Sequence, residues 1–323
     1  MIRKTLPIQL QTITWLNGGV IDWSLAGRYY TPDGQQQELG KSHYSGSPFD
    51  ACISSTDGRY ALLYARLGTK GLLLKGGELL REVNRSDYRA EDYEYPAAFF
   101  EAQGRTYLAH CPQEYNRLEF EDVETGEIPT DVPEREPTDI FHSRLEINPG
   151  NTYLLSKGWV WHPWDVVQAF DIEACLKNPL LLDDSTMRPS VGTEISSASF
   201  LSEHIVLLAA SSEEAMNEEL EHLLPPLHVA WWDIRSNELT LPVKVAGQFG
   251  NLVAIDENQA WDFYSHPKII NLGTGAVDYR WEEVDSGRQG SAIRPPTHTQ
   301  IVVSPDRRTA VVRTENSLEF IGL

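Results

Sequence analysis

Short apolar runs alternate with tight polar turns along almost the whole chain. The recurring unit is an apolar strand, a polar turn and a second apolar strand. It reads CISSTDGRYALLYA at 52–65, FFEAQGRTYLAH at 99–110 and LEINPGNTYLLS at 145–156, then FLSEHIVLLAA at 200–210, VAIDENQAWDFY at 253–264 and IVVSPDRRTAVVR at 301–313. Asp-Gly, Pro-Gly and Pro-Asp turns between alternating apolar positions predict β-hairpins. The turn centres fall at Asp57, Gly104, Gly150, Glu203, Glu257 and Asp306, in steps of 47, 46, 53, 54 and 49 residues.

A third strand follows most hairpins, as in LEFEDVETGE at 118–127, VQAFDIEA at 167–174 and VAWWDIRSNEL at 229–239. Each ends on an acidic residue and leads into an expected fourth strand. Four antiparallel strands in roughly 45–50 residues make one propeller blade. Residues 10–34 supply one more blade, with its turn at Gly18. The pattern therefore predicts an all-β propeller of seven four-stranded blades, spanning 1–323 as one domain; six blades with an N-terminal extension is the alternative. The last blade has three strands before Leu323, and residues 2–9 are expected to add its fourth and close the ring. Closure removes exposed sheet edges, and Pro7 is tolerable on an outer strand.

This pattern resembles a WD-repeat or related β-propeller. The nearest match is AWWDIRSNEL, where Trp232-Asp233 takes the place of the WD dipeptide. The other blades lack the dipeptide. Only His142 and His298 stand where that family's Gly-His pair would lie, and neither follows a Gly. The resemblance implies the architecture and not a function, because one fold hosts many functions.

In a ring of this kind the turns between first and second strands share one face, while second-to-third-strand loops and blade-to-blade loops share the other. The unusual segments collect on that second face. GWVWHPWD at 158–165 clusters Trp159, Trp161 and Trp164 with His162 and Asp165. Aromatic side chains concentrate interface energy; the plainer reading packs these rings between blades. The insert at 211–226 is expected to form a helix capped by Ser211 or Ser212, with Met216, Leu220 and Leu224 at i, i+4 spacing and Glu213, Glu214, Glu218, Glu219 and Glu221 on its remaining surface. It reads either as a cap on the propeller or as an acidic ridge for a partner. The acidic stretch 114–139 reads as a solvated, extended linker.

Composition changes this picture in two respects. The net charge of −20 disfavours nucleic acid and anionic membrane surfaces and favours a basic partner. The three cysteines, Cys52, Cys111 and Cys175, are far apart and suggest buried thiols rather than disulfides or zinc. The N-terminus has no apolar run of signal-peptide length, which points to the cytoplasm. His43, His142, His162, His266 and His298 would lie towards one face, yet no metal-binding spacing links them. No G-x-S-x-G, P-loop or G-x-G-x-x-G motif occurs, and no cofactor is expected.

The expectation is a non-enzymatic, acidic, cytoplasmic propeller that binds a basic protein partner, in one form an inhibitor or immunity-type protein. Trp159, Trp161, His162, Trp164, Asp165, Glu218, Glu219 and Glu221 are its candidate binding residues. The alternative is an enzyme or small-ligand (carbohydrate-type) binder with its site at the central channel mouth.

Overall fold

Seven antiparallel sheets are arranged around a ring, each begun by an inner strand: Thr14–Leu16, Ala51–Ser54, Ala97–Ala102, Glu146–Ile147, Ile195–Phe200, Leu252–Ala254 and Gln300–Val303. The structure is a computed structural model and describes residues 1–46, 48–288, 290–293 and 299–323. Neighbouring inner strands lie against each other from blade one to blade six, Thr14–Leu16 meets Gln300–Val303, and Trp261, Ile269, Ala310 and Val312 join blades six and seven to complete the circle. Each of the seven turn positions read from the sequence sits between the first two strands of a blade.

The turn chemistry repeats as the pattern requires. In blade two the Ser55 hydroxyl donates to Asp57 at 2.6 Å, and Asp57 accepts the Arg59 N–H at 3.0 Å. In blade seven Ser304 donates to Asp306, which accepts the Arg308 N–H at 3.1 Å. The residue after each Asp is left-handed, Gly58 at φ 70° and Arg307 at φ 61°.

Seven hydrophobic clusters fill the seven gaps between blades. Leu16, Ile21, Trp23, Cys52 and Leu63 join blades one and two; Leu207, Val229, Leu252 and Ile270 join five and six; Val20 and Tyr30 meet Val311 and Phe320 between one and seven. Burial between blades is what makes a ring of marginal sheets stable.

The ring closes through the N-terminus. Strand Ile2–Leu6 runs antiparallel to Leu318–Gly322, with Ile2 opposite Gly322 and Leu6 opposite Leu318. Arg3 Nε lies 3.0 Å from Glu319, and the Thr5 hydroxyl donates to the same carboxylate at 2.7 Å. Pro7 falls just past the strand, where its missing N–H costs no ladder bond.

Blades three and four depart from the expected fourth strand: among the described residues each has three. In blade four Asp171 caps a short helix, Ile172–Lys177, by accepting the Ala174 N–H at 2.8 Å. The chain then returns to cover the edge, where the Ala169 N–H donates to the Met187 carbonyl at 2.9 Å. In blade three residues 127–135 fold back over the edge strand Glu119–Asp122. The acidic stretch is therefore packed rather than a solvated linker. Its two arginines anchor it: Arg117 meets Glu119 at 2.6 Å, and buried Arg135 meets Glu119 at 3.3 Å and Asp183 at 2.8 Å.

Candidate functional site

The hairpin of Tyr153–Val160 and Trp164–Asp171 is the longest in the ring and outruns its inner partner, Glu146–Ile147. Phe141 continues the missing strand: its N–H donates to the Trp159 carbonyl at 2.9 Å, and the Trp159 N–H donates back at 3.1 Å. Gly158 permits the approach, since a Cβ there would stand 2.1 Å from the Phe141 carbonyl oxygen. A three-residue turn, 161–163, ends the hairpin with His162 at φ 85°.

Aromatic rings from separate loops gather around this hairpin. Phe141 and Trp159 stack at 4.0 Å between centroids, only 6° from parallel. Tyr115 stacks on Phe141 at 4.4 Å, Tyr93 meets it edge-on at 5.3 Å, and Tyr88 lies 4.9 Å from Tyr115. Trp161 stands edge-on to Phe141 and Trp159 at 5.5 and 5.4 Å. Arg89 lies over Trp161 at 5.3 Å and is held by Asp92 at 3.2 Å. Phe141, Trp159 and Tyr93 are buried, while Trp161 is 38% exposed and Tyr88 47% exposed. The cluster is thus a rigid base presenting two rings to solvent.

The link between blades six and seven reaches across this face. The Ala292 N–H donates to both carboxylate oxygens of Asp165, at 3.1 and 3.0 Å, and Ser291 donates to it at 3.0 Å. Ile293 forms a bridge with Tyr93, and Arg144 donates to the Gly290 carbonyl at 2.8 Å. Burial pushes the Asp165 carboxyl up to about 6; Glu194 adds to the rise, while Arg144 and the strap's hydrogen bonds oppose it.

The structure separates the candidates that the sequence grouped. Trp161 and His162 form the exposed tip. Trp159 is core and Asp165 is buried under the strap, so neither can meet a partner directly. Trp164 is half-buried. Glu218 and Glu219 are exposed and Glu221 partly so. The expected helix at 211–226 is absent; the segment holds a single 3-10 turn, Glu221–Leu223. Met216 is 68% exposed and Leu224 fully buried, which ends the i, i+4 stripe. Glu214 and Glu218 would repel at i, i+4, and a helix this short is marginal. The backbone bonds elsewhere instead: the Met216 N–H donates to Gly192, and Thr193 donates to the Leu224 carbonyl.

Tyr88, Arg89, Tyr93, Tyr115 and Phe141 were not nominated from sequence, because they come from loops far apart in the chain. The histidines do not converge on a site. His142 is buried against Ser156 at 2.9 Å, and burial lowers its pKa to about 3. His266 bonds the Val284 carbonyl at 3.0 Å. His298 lies outside the described residues. Among the described residues no three His, Cys, Asp or Glu side chains gather as a metal site, and no helix is long and apolar enough to cross a membrane.

No family model and no curated protein matches the chain. Solved structures do. The Pan2 WD40 domain of Neurospora crassa is similar with a TM-score of 0.57 at 11% identity, covering 97% of this chain and 88% of that one. A chain of the mitotic checkpoint complex gives 0.57 at 11% identity, over 99% and 91%. The computationally designed Ika8 protein gives 0.54 at 11% identity, over 99% and 98%. At this identity the likeness is one of fold: the chain has the architecture of a WD-repeat propeller.

Proposed function

We propose that this propeller is a protein-interaction module whose aromatic face docks a basic protein partner. One observation carries the reading: Trp161 and Tyr88 are held out to solvent on a buried stack of rings. Rigid, half-exposed aromatics on such a base are what interface hot spots are built from. The acidic loop 211–226 belongs to the next blade on the same face and would add the negative rim that steers a basic partner. Inhibition of a basic toxin or nuclease is one form this activity would take.

The test is affinity purification from the native host with wild-type protein, Trp161→Ala and the triple charge reversal of Glu218, Glu219 and Glu221 to Lys. A partner held by wild type and lost from Trp161→Ala supports the reading. A partner retained equally by all three removes it.

A further inference from the structure

The Trp161 ring already carries a cation. The Arg89 guanidinium lies over it at 5.3 Å from the centroid and is tethered to Asp92 at 3.2 Å. The loop that supplies this pair is held from beneath. Buried Arg85 donates to the Gly68, Ala90 and Tyr93 carbonyls at 2.7, 2.7 and 2.9 Å, and its guanidinium lies over the Tyr93 ring at 4.4 Å. The Asp92 N–H donates to the Arg89 carbonyl at 2.9 Å. Asp92 is buried, whereas the Arg89 side chain is 40% exposed. Arg89 is therefore the loose member of the group, and the ring and the carboxylate beneath it are anchored in the fold.

The surroundings favour positive charge. Asp87 and Glu91 flank Arg89 in its loop, Glu114 precedes Tyr115, and Asp139 accepts the Tyr115 hydroxyl at 2.7 Å; all four acids are exposed. Among the described residues, the other cations of the neighbouring segments are engaged. Arg117 pairs with Glu119 and Asp131, Arg144 donates to Asn251 and Gly290, and Lys157 meets Glu146 at 2.6 Å. His162 stands next to Trp161 at the tip.

We propose that Arg89 is a built-in occupant of the docking face, and that an arginine of the partner displaces it from Trp161. This rests on the docking reading above and names the side chain that reading left open. The incoming guanidinium takes the ring face and the Asp92 carboxylate. A planar guanidinium stacks on an indole and forks onto a carboxylate, and a lysine ammonium does neither, so arginine is selected over lysine. An acidic segment would instead meet Asp87, Glu91, Glu114 and Asp139. Arg89 lowers the affinity, because its own contact is given up on binding, and it sharpens selection against side chains that stack less well.

Fluorescence anisotropy of the full chain with labelled tetra-arginine and tetra-lysine peptides tests it. Wild type should prefer tetra-arginine, and Trp161→Ala should abolish that preference. Arg89→Gln should tighten tetra-arginine roughly two- to fivefold, the size of one exposed cation–π contact. Arg308→Gln removes the same charge from the blade-seven turn on the opposite face and should tighten it less. Arg89→Lys keeps the charge and gives up the planar stack. It should act in the same direction as Arg89→Gln by a smaller factor, and it keeps the test readable if Arg89→Gln folds poorly. Unchanged or weaker binding by both Arg89 variants, tightening matched by Arg308→Gln, or an arginine preference that survives Trp161→Ala would overturn the proposal. A host partner lost from Trp161→Ala but indifferent to both Arg89 variants would overturn it and leave the docking reading intact.

Discussion

The rings of Phe141 and Trp159 stack at 4.0 Å while their backbones exchange a pair of hydrogen bonds. One contact thus joins a blade-to-blade loop to the tallest hairpin of the ring. It also separates two tryptophans only two residues apart. Trp159 carries the stack and Trp161 rides on it. Trp159→Ala should cost about 3–5 kcal/mol, as for other large core truncations. Trp161→Ala should cost about 1 kcal/mol or less, in line with surface substitutions. Urea denaturation of the two variants checks the difference; equal losses would place Trp161 in the core.

Closure through Ile2–Leu6 is open to a direct test. Removing these residues leaves Leu318–Gly322 as an exposed edge and strips Glu319 of Arg3 and Thr5. Burial works to raise the Glu319 carboxyl, but hydrogen bonds from Thr5, Ser317 and Arg3 outweigh it and hold the group below its ordinary value. The truncated chain should melt several degrees lower and aggregate. Thermal melts with light scattering report both, and an unchanged melt would mean that the ring does not need this strand.

Acid behaviour follows from Asp165 and His142, whose effects oppose each other. Folded Asp165 holds its proton up to about pH 6, against an ordinary value of 3.8, so its contribution is full at low pH and is lost as pH rises through 6. Folded His142 resists protonation down to about pH 3, against an ordinary 6.5, so its contribution is lost as pH falls below 6.5. Asp165→Asn removes the first slope and keeps the second. Relative to wild type, the variant should lose on the order of 2 kcal/mol on acidification through the Asp165 window. Urea melts across that range measure it; parallel curves for the two proteins would contradict the burial of Asp165.

Reversing Glu218, Glu219 and Glu221 to Lys should slow association with a basic partner, most clearly at low salt, and change dissociation little. Stopped-flow association at two salt concentrations is the check. An unchanged rate would place the partner away from this loop.

Much of the fold was legible because each blade repeats local chemistry. Ser55-x-Asp57 and Ser304-x-Asp306 make the same turn from the same residues, and the hairpin positions follow. Trp232 and Asp233 likewise end a strand, with the Trp232 indole donating to Asn237 at 2.8 Å. The site was less legible because it is assembled from non-local contacts. Tyr88, Tyr115, Phe141 and Trp161 share no period, and nothing in HPWD says that Asp165 will be buried under Ala292. Strict alternation would put Trp159 and Trp161 on one side of a strand, but the strand ends between them, at Val160. The insert at 211–226 misled because its apolar spacing is helical while its glutamates and two prolines oppose a helix.

The central claim is that the exposed rings dock a partner. Its most direct test is a binding measurement comparing the Tyr88→Ala/Trp161→Ala double variant with Glu257→Ala on the opposite face, using the partner captured by wild type. The account predicts at least a tenfold loss of affinity for the double variant, with its fold retained, and none for Glu257→Ala. Undiminished binding by the double variant, or an equal loss from Glu257→Ala, would contradict it.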